Sequence, residues 1–126
     1  HPRTKNKIDE FGLGTKWNKN VRITKPLGYL DFLSLTKNAR IVITDSGGIQ
    51  EETTVLGIPC LTLRDNTERP ITVDQGTNKI IGNKQKRLID EVKNILNSEK
   101  QTYEIPKLWD GKTALRIADI LEKQLS

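Results

Sequence analysis

Residues 40–52 read RIVITDSGGIQEE, and this stretch decides the fold class of the chain. The β-branched, apolar run at Arg40–Thr44 is typical of a buried strand, while Ile49–Leu56 has the spacing of a short helix. Gly57 follows that helix, two residues before Pro59, and a glycine in this place commonly ends a helix. The stretch therefore predicts a strand, a tight Ser-Gly-Gly turn and a helix, which together form one unit of an α/β domain.

The same alternation continues along the rest of the chain. Short apolar runs begin at positions 21, 40, 60 and 79, and segments with helical spacing lie between them. The predicted strands are Val21–Thr24, Arg40–Thr44, Cys60–Leu63 and Lys79–Ile81, and the predicted helices are Thr4–Phe11, Tyr29–Asn38, Ile49–Leu56, Lys84–Leu96 and Lys112–Leu125. Such alternation predicts a parallel sheet with right-handed crossovers. We therefore predict one Rossmann-like, doubly wound α/β domain over residues 1–126.

Composition narrows the class of protein. The single cysteine, Cys60, excludes an internal disulfide and favours a reducing compartment, so we expect a cytoplasmic location. No apolar stretch approaches the roughly 20 residues of a membrane span, and we expect no membrane partner. The net charge of +5 comes from scattered basic residues, with only two each of Trp, Tyr and Phe. That pattern argues against a nucleic-acid partner and suits an anionic small molecule.

The Ser46-Gly47-Gly48 turn is a candidate anion site. The first N–H groups of a helix have no intrahelical acceptor, and the macrodipole gives them about half a positive charge. Two residues without a Cβ let a ligand approach the backbone, and the Ser46 hydroxyl can add a donor. These features favour a diphosphate. The alternative is an ordinary strand–helix turn that Ser46 merely caps.

Glu52 points to a more specific ligand. It lies four residues after Gly48, about one helical turn on, so that both share a helix face. A carboxylate there can accept both hydroxyls of a ribose whose phosphates bind at the turn. The alternative is that Glu51 and Glu52 only stabilise the first turn of the helix. Adjacent residues point in different directions, so only one acid can face the ligand, and we favour Glu52.

Two loops that follow predicted strands carry further candidates. Ligands of open α/β sheets bind beyond the carboxyl ends of the strands, so the loop Arg64–Pro70 should adjoin the Ser-Gly-Gly turn. Arg69 could there clamp a phosphate, although a solvated charged loop is the alternative. The loop Lys25–Tyr29 could present the ring of Phe32 to a base, with burial in the core as the alternative for that ring.

Taken together, these stretches resemble the non-hydrolysing UDP-N-acetylglucosamine 2-epimerases. The matching runs follow the order of the family and cover most of the chain: HPRT at 1–4, PLGYLDF at 26–32, TDSGGIQEE at 44–52, LGIP at 56–59, RDNTERP at 64–70 and DGK at 110–112. The Thr-Asp-Ser-Gly-Gly form differs from the serine-rich turn of the hydrolysing relatives. Two stretches depart from the family pattern, with Thr53-Thr54 in place of Ala or Ala-Pro, and Ile71 in place of Glu.

The resemblance implies a fold of two Rossmann-like domains in a GT-B-type arrangement, with a UDP-sugar in the cleft. The present chain would be the C-terminal half, truncated at its N-terminal side, because it begins at His1, has no methionine and lacks the first strand–helix unit. The implied activity interconverts UDP-GlcNAc and UDP-ManNAc through elimination of UDP, a 2-acetamidoglucal intermediate and re-addition. The family's catalytic carboxylates lie in the absent domain, so we expect the isolated chain to be inactive.

The resemblance also implies roles for single residues. Ser46 and Gly47 would contact the phosphates, with Gly48 completing the turn. Glu52 would hold the ribose, and Arg69 would assist at the diphosphate. No metal or cofactor is expected, and the ligands would be UDP, UDP-GlcNAc and UDP-ManNAc.

Two further residues and the parent protein complete these expectations. Phe32 would line the uracil pocket, and His1 matches a functional, catalytic histidine near the active site. The parent would be a homodimer that acts in polysaccharide biosynthesis. Two alternatives stay open, namely half of a GT-B glycosyltransferase that uses a UDP-sugar donor, and a non-catalytic nucleotide-sugar-binding module. The run Thr67–Pro70 favours the epimerase over the glycosyltransferase.

Overall fold

A computed structural model describes residues 2–14, 19–99 and 102–125. Their helices and strands follow in the order α1 (Pro2–Glu10), α2 (Tyr29–Lys37), β1 (Val42–Thr44), α3 (Gly47–Leu56), β2 (Cys60–Thr62), α4 (Ile71–Asp74), β3 (Asn78–Ile80), α5 (Gln85–Asn97) and α6 (Thr113–Leu125). From β1 to α5, strands and helices alternate, as expected of an α/β domain. The chain divides into two compact units, His1–Ser34 and Leu35–Ser126.

The second unit is built on a parallel sheet in the order β1-β2-β3. Val42 of β1 lies opposite Cys60 of β2, which in turn lies opposite Asn78 of β3. Helices α3 and α4 supply the two crossovers, and the strands succeed one another in chain order, as they do in one direction of a doubly wound sheet. The predicted α/β class with a parallel sheet is confirmed.

The core around this sheet is small and unusually polar. Among the described residues, the buried apolar side chains are Ile58, Cys60, Leu61 and Ile81. The buried polar ones are Thr36, Gln50, Thr53, Thr54, Thr62, Thr72, Thr77 and Asn78. Buried polar groups cost free energy unless they are hydrogen-bonded, so the stability of this core depends on the hydrogen-bond partners of its polar side chains.

Helix α3 ends where the sequence predicts. Gly57 has a φ of +66°, a left-handed conformation that side chains with a Cβ rarely adopt. The N–H of Ile58 then donates to the Thr53 carbonyl at 2.9 Å, so that a C-terminal carbonyl of the helix is satisfied. Cys60 follows three residues after Gly57, at the start of the central strand.

Helix α4 was not predicted. It is a single turn that begins after Pro70, and the Pro70 carbonyl accepts the N–H groups of Val73 and Asp74 at 2.8 and 3.0 Å. Four residues are too few to show a helical period, so its signal is only the proline ahead of it. The turn matters because it leads directly out of the loop that carries Arg69.

In the first unit, helix α1 confirms the predicted helix and ends before Gly12, whose φ is +61°. The predicted strand Val21–Thr24 is wrong, because the structure assigns these residues no strand. Val21 and Ile23 are 47% and 60% exposed. A strand requires a neighbour for its backbone hydrogen bonds, and the structure shows none for these residues within the described part of the chain.

Helix α6 confirms the predicted closing helix and is strongly amphipathic. Its apolar residues are exposed by half or more: Leu115, Ile117, Ile120, Leu121 and Leu125. Ahead of it, the Asp110 carboxylate accepts the Lys112 N–H at 3.0 Å and the Arg116 guanidinium at 2.9 Å, which lowers the pKa of Asp110. No helix in the described part of the chain is both long and apolar enough to cross a membrane.

Candidate functional site

The Ser46-Gly47-Gly48 turn joins β1 to α3 at the carboxyl end of the sheet. The Ser46 N–H donates to the Thr44 hydroxyl at 3.1 Å, and Ser46 is extended, with φ −84° and ψ 128°. Its own hydroxyl makes no capping hydrogen bond to the helix, and the residue is exposed. The structure therefore does not support the alternative in which Ser46 merely caps the helix.

The two glycines of this turn leave open space before the helix. A Cβ built on Gly47 or Gly48 would meet nothing within 4 Å apart from its chain neighbours and the backbone of its own helix, and neither residue has a positive φ. The backbone conformation therefore does not require glycine, and what the missing Cβ atoms provide is room in front of the turn. The first N–H groups of α3 have no intrahelical acceptor, so this room lies beside unpaired donors.

Glu51 and Glu52 follow on the same helix and have different surroundings. The Glu51 Oε1 atom lies 3.0 Å from Nε of Arg69, at an orientation that makes the contact an ion pair rather than an aligned hydrogen bond. Glu52 Oε2 is buried and has no hydrogen-bond partner among the described residues. Such an orphaned carboxylate oxygen is costly, and a donor supplied from outside the chain would remove that cost.

The loop Arg64–Pro70, which was predicted to adjoin the Ser-Gly-Gly turn, contacts helix α3 at Gln50 and Glu51. Arg69 is half-buried, its N–H donates to the Thr67 hydroxyl at 2.9 Å, and its side chain pairs with Glu51. The Thr67 hydroxyl donates to Oε1 of Gln50 at 2.6 Å. The structure therefore brings Arg69 beside the helix that begins at the Ser-Gly-Gly turn.

A buried polar cluster beneath this loop was not predicted from the sequence. Gln50 is fully buried, and its Oε1 also accepts Nδ2 of Asn78 at 3.0 Å. The same Nδ2 lies 3.0 Å from the Thr72 hydroxyl, and the Asn78 Oδ1 accepts the Thr62 hydroxyl at 2.6 Å. A glutamine among helix residues usually faces solvent, so the sequence contains no signal that singles out these side chains.

Two predicted site residues remain, Phe32 and His1. Phe32 belongs to α2 in the first unit and is 40% exposed, so it is not part of the buried core. His1 lies outside the described residues. Within the described ranges, no three His, Cys, Asp or Glu side chains come together as metal ligands would.

Cys60 is buried at the centre of the sheet and is not an activated nucleophile. Burial raises the pKa of its thiol above the ordinary value of 9.0, although hydrogen bonds with Thr53 and Thr62 oppose the shift. The neutral thiol is therefore the dominant form at neutral pH, and it packs as a small apolar side chain.

Comparison with known proteins gives one consistent result. The family model described as UDP-N-acetylglucosamine 2-epimerase matches residues 1–122. The chain is 49% identical over 123 residues to the UDP-N-acetylglucosamine 2-epimerase of Methanocaldococcus jannaschii, covering 96% of this chain and 33% of that protein. It is 39% identical over 108 residues to the protein of the same name from Escherichia coli strain K12, covering 82% and 29%.

A solved structure agrees with these sequence matches. The crystal structure of the Methanocaldococcus jannaschii UDP-GlcNAc 2-epimerase in complex with UDP-GlcNAc and UDP has a TM-score of 0.81 and 47% sequence identity. The alignment covers 98% of this chain and 34% of that one. The chain thus spans about a third of the length of the relatives that it matches.

Proposed function

Because the chain belongs to the UDP-N-acetylglucosamine 2-epimerase family, we propose that it forms the part of such an enzyme that holds the nucleotide of a UDP-sugar. For the whole enzyme, we propose the interconversion of UDP-GlcNAc and UDP-ManNAc. In this proposal residues 1–126 act as one UDP-binding domain, and the groups that move the proton at C2 of the sugar lie in a domain outside this chain.

The buried, unpartnered Glu52 Oε2 carries the proposal. It lies one helical turn after the open space at Gly48, on the same face of α3. A ribose has two neighbouring hydroxyls, and a carboxylate has acceptor sites for both. Binding of the ribose would give this oxygen the donor that the protein lacks, in a charge-assisted hydrogen bond.

The same helix and its neighbouring loop suit the diphosphate. The first N–H groups of α3 have no intrahelical acceptor and lie beside the open space at Gly47 and Gly48, the exposed Ser46 hydroxyl makes no capping hydrogen bond, and Arg69 supplies a positive charge beside the helix. When UDP is eliminated, the bond between C1 and the phosphate oxygen breaks and negative charge develops on that oxygen. Preformed donors at the turn would stabilise this charge, and they would retain UDP for re-addition.

Several expectations rest on the resemblance alone and stay predictions. These are Phe32 at the uracil, His1 near the reaction centre, a 2-acetamidoglucal intermediate, a homodimeric parent in the cytoplasm and a part in polysaccharide biosynthesis. Inactivity of the isolated chain is a prediction of the same kind. It can be checked by incubating the chain with UDP-GlcNAc in the absence of an acceptor, where formation of UDP-ManNAc would contradict it.

Calorimetric titration of the folded chain with UDP and with pyrophosphate tests the nucleotide site. We expect Glu52→Gln to weaken UDP binding by about 1–3 kcal/mol, because it removes the charge from the hydrogen bonds to ribose. Pyrophosphate binding should not weaken, because that ligand has no ribose. Glu104→Gln, which removes one negative charge from an exposed residue, serves as the control and should change neither affinity.

The outcomes of this titration are distinct. Absence of heat with millimolar UDP, from a chain that circular dichroism shows to be folded, would reject the nucleotide site. Equal affinity of the wild-type chain for UDP and pyrophosphate would instead reject only the ribose contact at Glu52.

A further inference from the structure

Three consecutive residues of α3 have different surroundings, and two of these residues contact Arg69, one directly and one through another side chain. Glu52 has the unpartnered oxygen, Glu51 pairs with the Arg69 guanidinium, and Gln50 reaches the Arg69 backbone through Thr67. We propose that a closed ring of hydrogen bonds through Gln50 positions Arg69 for the diphosphate, with Thr67 as its decisive positioning residue. The inference rests on the proposed function.

The ring can be followed atom by atom through Gln50, Thr67, Arg69, Thr72 and Asn78, and we call it the Gln50 ring. The Thr67 hydroxyl donates to Gln50 Oε1 at 2.6 Å and accepts the Arg69 N–H at 2.9 Å. The Arg69 carbonyl accepts the Thr72 hydroxyl at 2.7 Å. Asn78 Nδ2 closes the ring, since it lies 3.0 Å from both the Thr72 hydroxyl and Gln50 Oε1.

Both backbone groups of Arg69 are therefore held by threonine side chains. A hydroxyl has one proton, and the proton of Thr67 is committed to Gln50, which leaves its lone pairs for the Arg69 N–H. Replacing this hydroxyl would break two hydrogen bonds of the ring at once. The Arg64–Pro70 loop has no helix or strand of its own, so the Gln50 ring supplies the order that secondary structure provides elsewhere.

The ring is attached to a rigid part of the molecule. Gln50 is fully buried in α3, and Asn78, which is 3% exposed, lies in β3. The α3 helix also begins with the Ser-Gly-Gly turn, so the ring ties Arg69 to the helix that presents the backbone donors. Groups that must act together on one diphosphate are held more accurately when they share one rigid element than when each lies on a free loop.

Stability alone does not account for the ring. Gln50 Nε2 is buried without a hydrogen-bond partner in the described part of the chain, which costs free energy that an apolar side chain in the same space would avoid. A polar network with an unsatisfied member is a poor way to stabilise a core. It is a good way to hold one loop in one conformation, because each hydrogen bond specifies direction as well as distance.

The test compares three threonine variants. Thr67→Val keeps the shape of the side chain and removes the hydroxyl, whereas Thr67→Ser keeps the hydroxyl. Thr54→Val is the matched control, because Thr54 is buried and its hydroxyl donates to the Gln50 carbonyl within α3, outside the Gln50 ring. We expect Thr67→Val to weaken UDP binding by about 2- to 12-fold, while the other two variants bind UDP as the wild type does.

Uridine separates positioning at the diphosphate from general damage. It retains the base and ribose and lacks the phosphates, so Thr67→Val should leave its affinity unchanged. Loss of uridine and UDP affinity by the same factor would indicate a distorted fold and overturn the proposal. In the Arg69→Ala background, Thr67→Val should cause no further loss of UDP affinity, and additive losses would overturn the proposal as well.

Hydrogen exchange at the Arg69 amide gives a readout that needs no ligand. Thr67→Val should accelerate exchange at this amide, and Thr54→Val should not. Unchanged exchange would show that the ring does not hold Arg69. Faster exchange with unchanged UDP affinity would reject its role at the diphosphate. A folded wild-type chain that binds no UDP would reject the proposed function, and the exchange would still report whether the ring orders the loop.

Discussion

Two pairs of glycines in the second unit have opposite surroundings. A Cβ on Gly47 or Gly48 would meet no protein atom within 4 Å. A Cβ on Gly76 would lie 2.6 Å from a backbone carbonyl oxygen, and one on Gly82 would lie 2.6 Å from a carboxylate oxygen of the Arg64–Pro70 loop. The protein does not fill the space beside Gly47 and Gly48, whereas other protein atoms pack closely where Gly76 and Gly82 lack a Cβ.

We infer from this difference that Gly47 and Gly48 leave space for the proposed ligand, whereas Gly76 and Gly82 allow close packing. Both kinds lie next to strands of the same sheet, Gly47 and Gly48 after β1 and the others on either side of β3. A substitution at the first kind should impair binding without damage to the fold, and one at the second kind should do the reverse. The predictions below test this separation in order of their expected effect on stability.

Gly76→Ala should have the largest effect on stability, a loss of about 1–3 kcal/mol, as overpacked cores generally show. The added methyl would lie 2.5 Å from the Thr54 hydroxyl and 2.6 Å from the Thr72 carbonyl oxygen, and a backbone carbonyl cannot rotate away. Denaturant unfolding measures the loss. The double variant Gly76→Ala/Thr54→Ala should lose less than the sum of the single variants, and strict additivity would argue against the steric cause.

Gly82→Ala should cost more than Gly57→Ala, and the two form a matched pair. Their φ angles are +69° and +66°, so each alanine has the same backbone strain of about 1–2 kcal/mol. Only the Gly82 methyl meets Asp65, at 2.6 Å from Oδ1. Because Asp65 lies in the Arg64–Pro70 loop, Gly82→Ala should also weaken UDP binding by calorimetry, and Gly57→Ala should not. Equal losses of stability and of UDP affinity in the two variants would contradict an effect of the Asp65 contact.

Gly48→Ala should change stability and binding in opposite directions. Alanine favours a helix over glycine by up to about 1 kcal/mol, and here it meets no protein atom, so stability should stay equal or rise. UDP affinity should fall, because the methyl occupies the space proposed for the diphosphate. A variant that is as stable as the wild type and binds UDP equally well would contradict a ligand site at this turn.

The smallest effect on stability should come from Cys60 at alkaline pH. Its folded pKa is raised by burial, so its contribution to stability is complete below the unfolded value near 9.0 and is lost as pH rises through the folded value. Unfolding midpoints from pH 7 to 10 should therefore fall less steeply for Cys60→Ala than for the wild type. Equal slopes would show that the thiol stays neutral, or titrates equally, in both states.

The rate at which the Cys60 thiol reacts with a thiol reagent also distinguishes the two kinds of glycine. Cys60 is fully buried in the central strand, so a thiol reagent reaches it only when the sheet opens. Gly76→Ala should accelerate its reaction, and Gly48→Ala should leave the rate unchanged.

The sequence by itself determined the local features of this protein. Strand β1, the Ser-Gly-Gly turn, helix α3 and its end at Gly57 follow from residues within a few positions of each other, where short-range sterics and hydrophobic spacing decide the conformation. The place of Glu52 one turn after Gly48 follows from the helical repeat. The family resemblance rests on motifs that are likewise contiguous in the chain.

The tertiary structure alone decided which side chains have partners. Thr67 reaches Gln50 across 17 residues, and Asn78 reaches it across 28, so no local pattern could predict that a glutamine would be buried as an acceptor for both. The same holds for the crowding at Gly76. The predicted strand at Val21–Thr24 is a further case, because only the folded structure decides whether a neighbouring strand pairs with it. Propensity and spacing act within one element, whereas hydrogen-bond satisfaction and close packing depend on elements that meet only after the chain has folded.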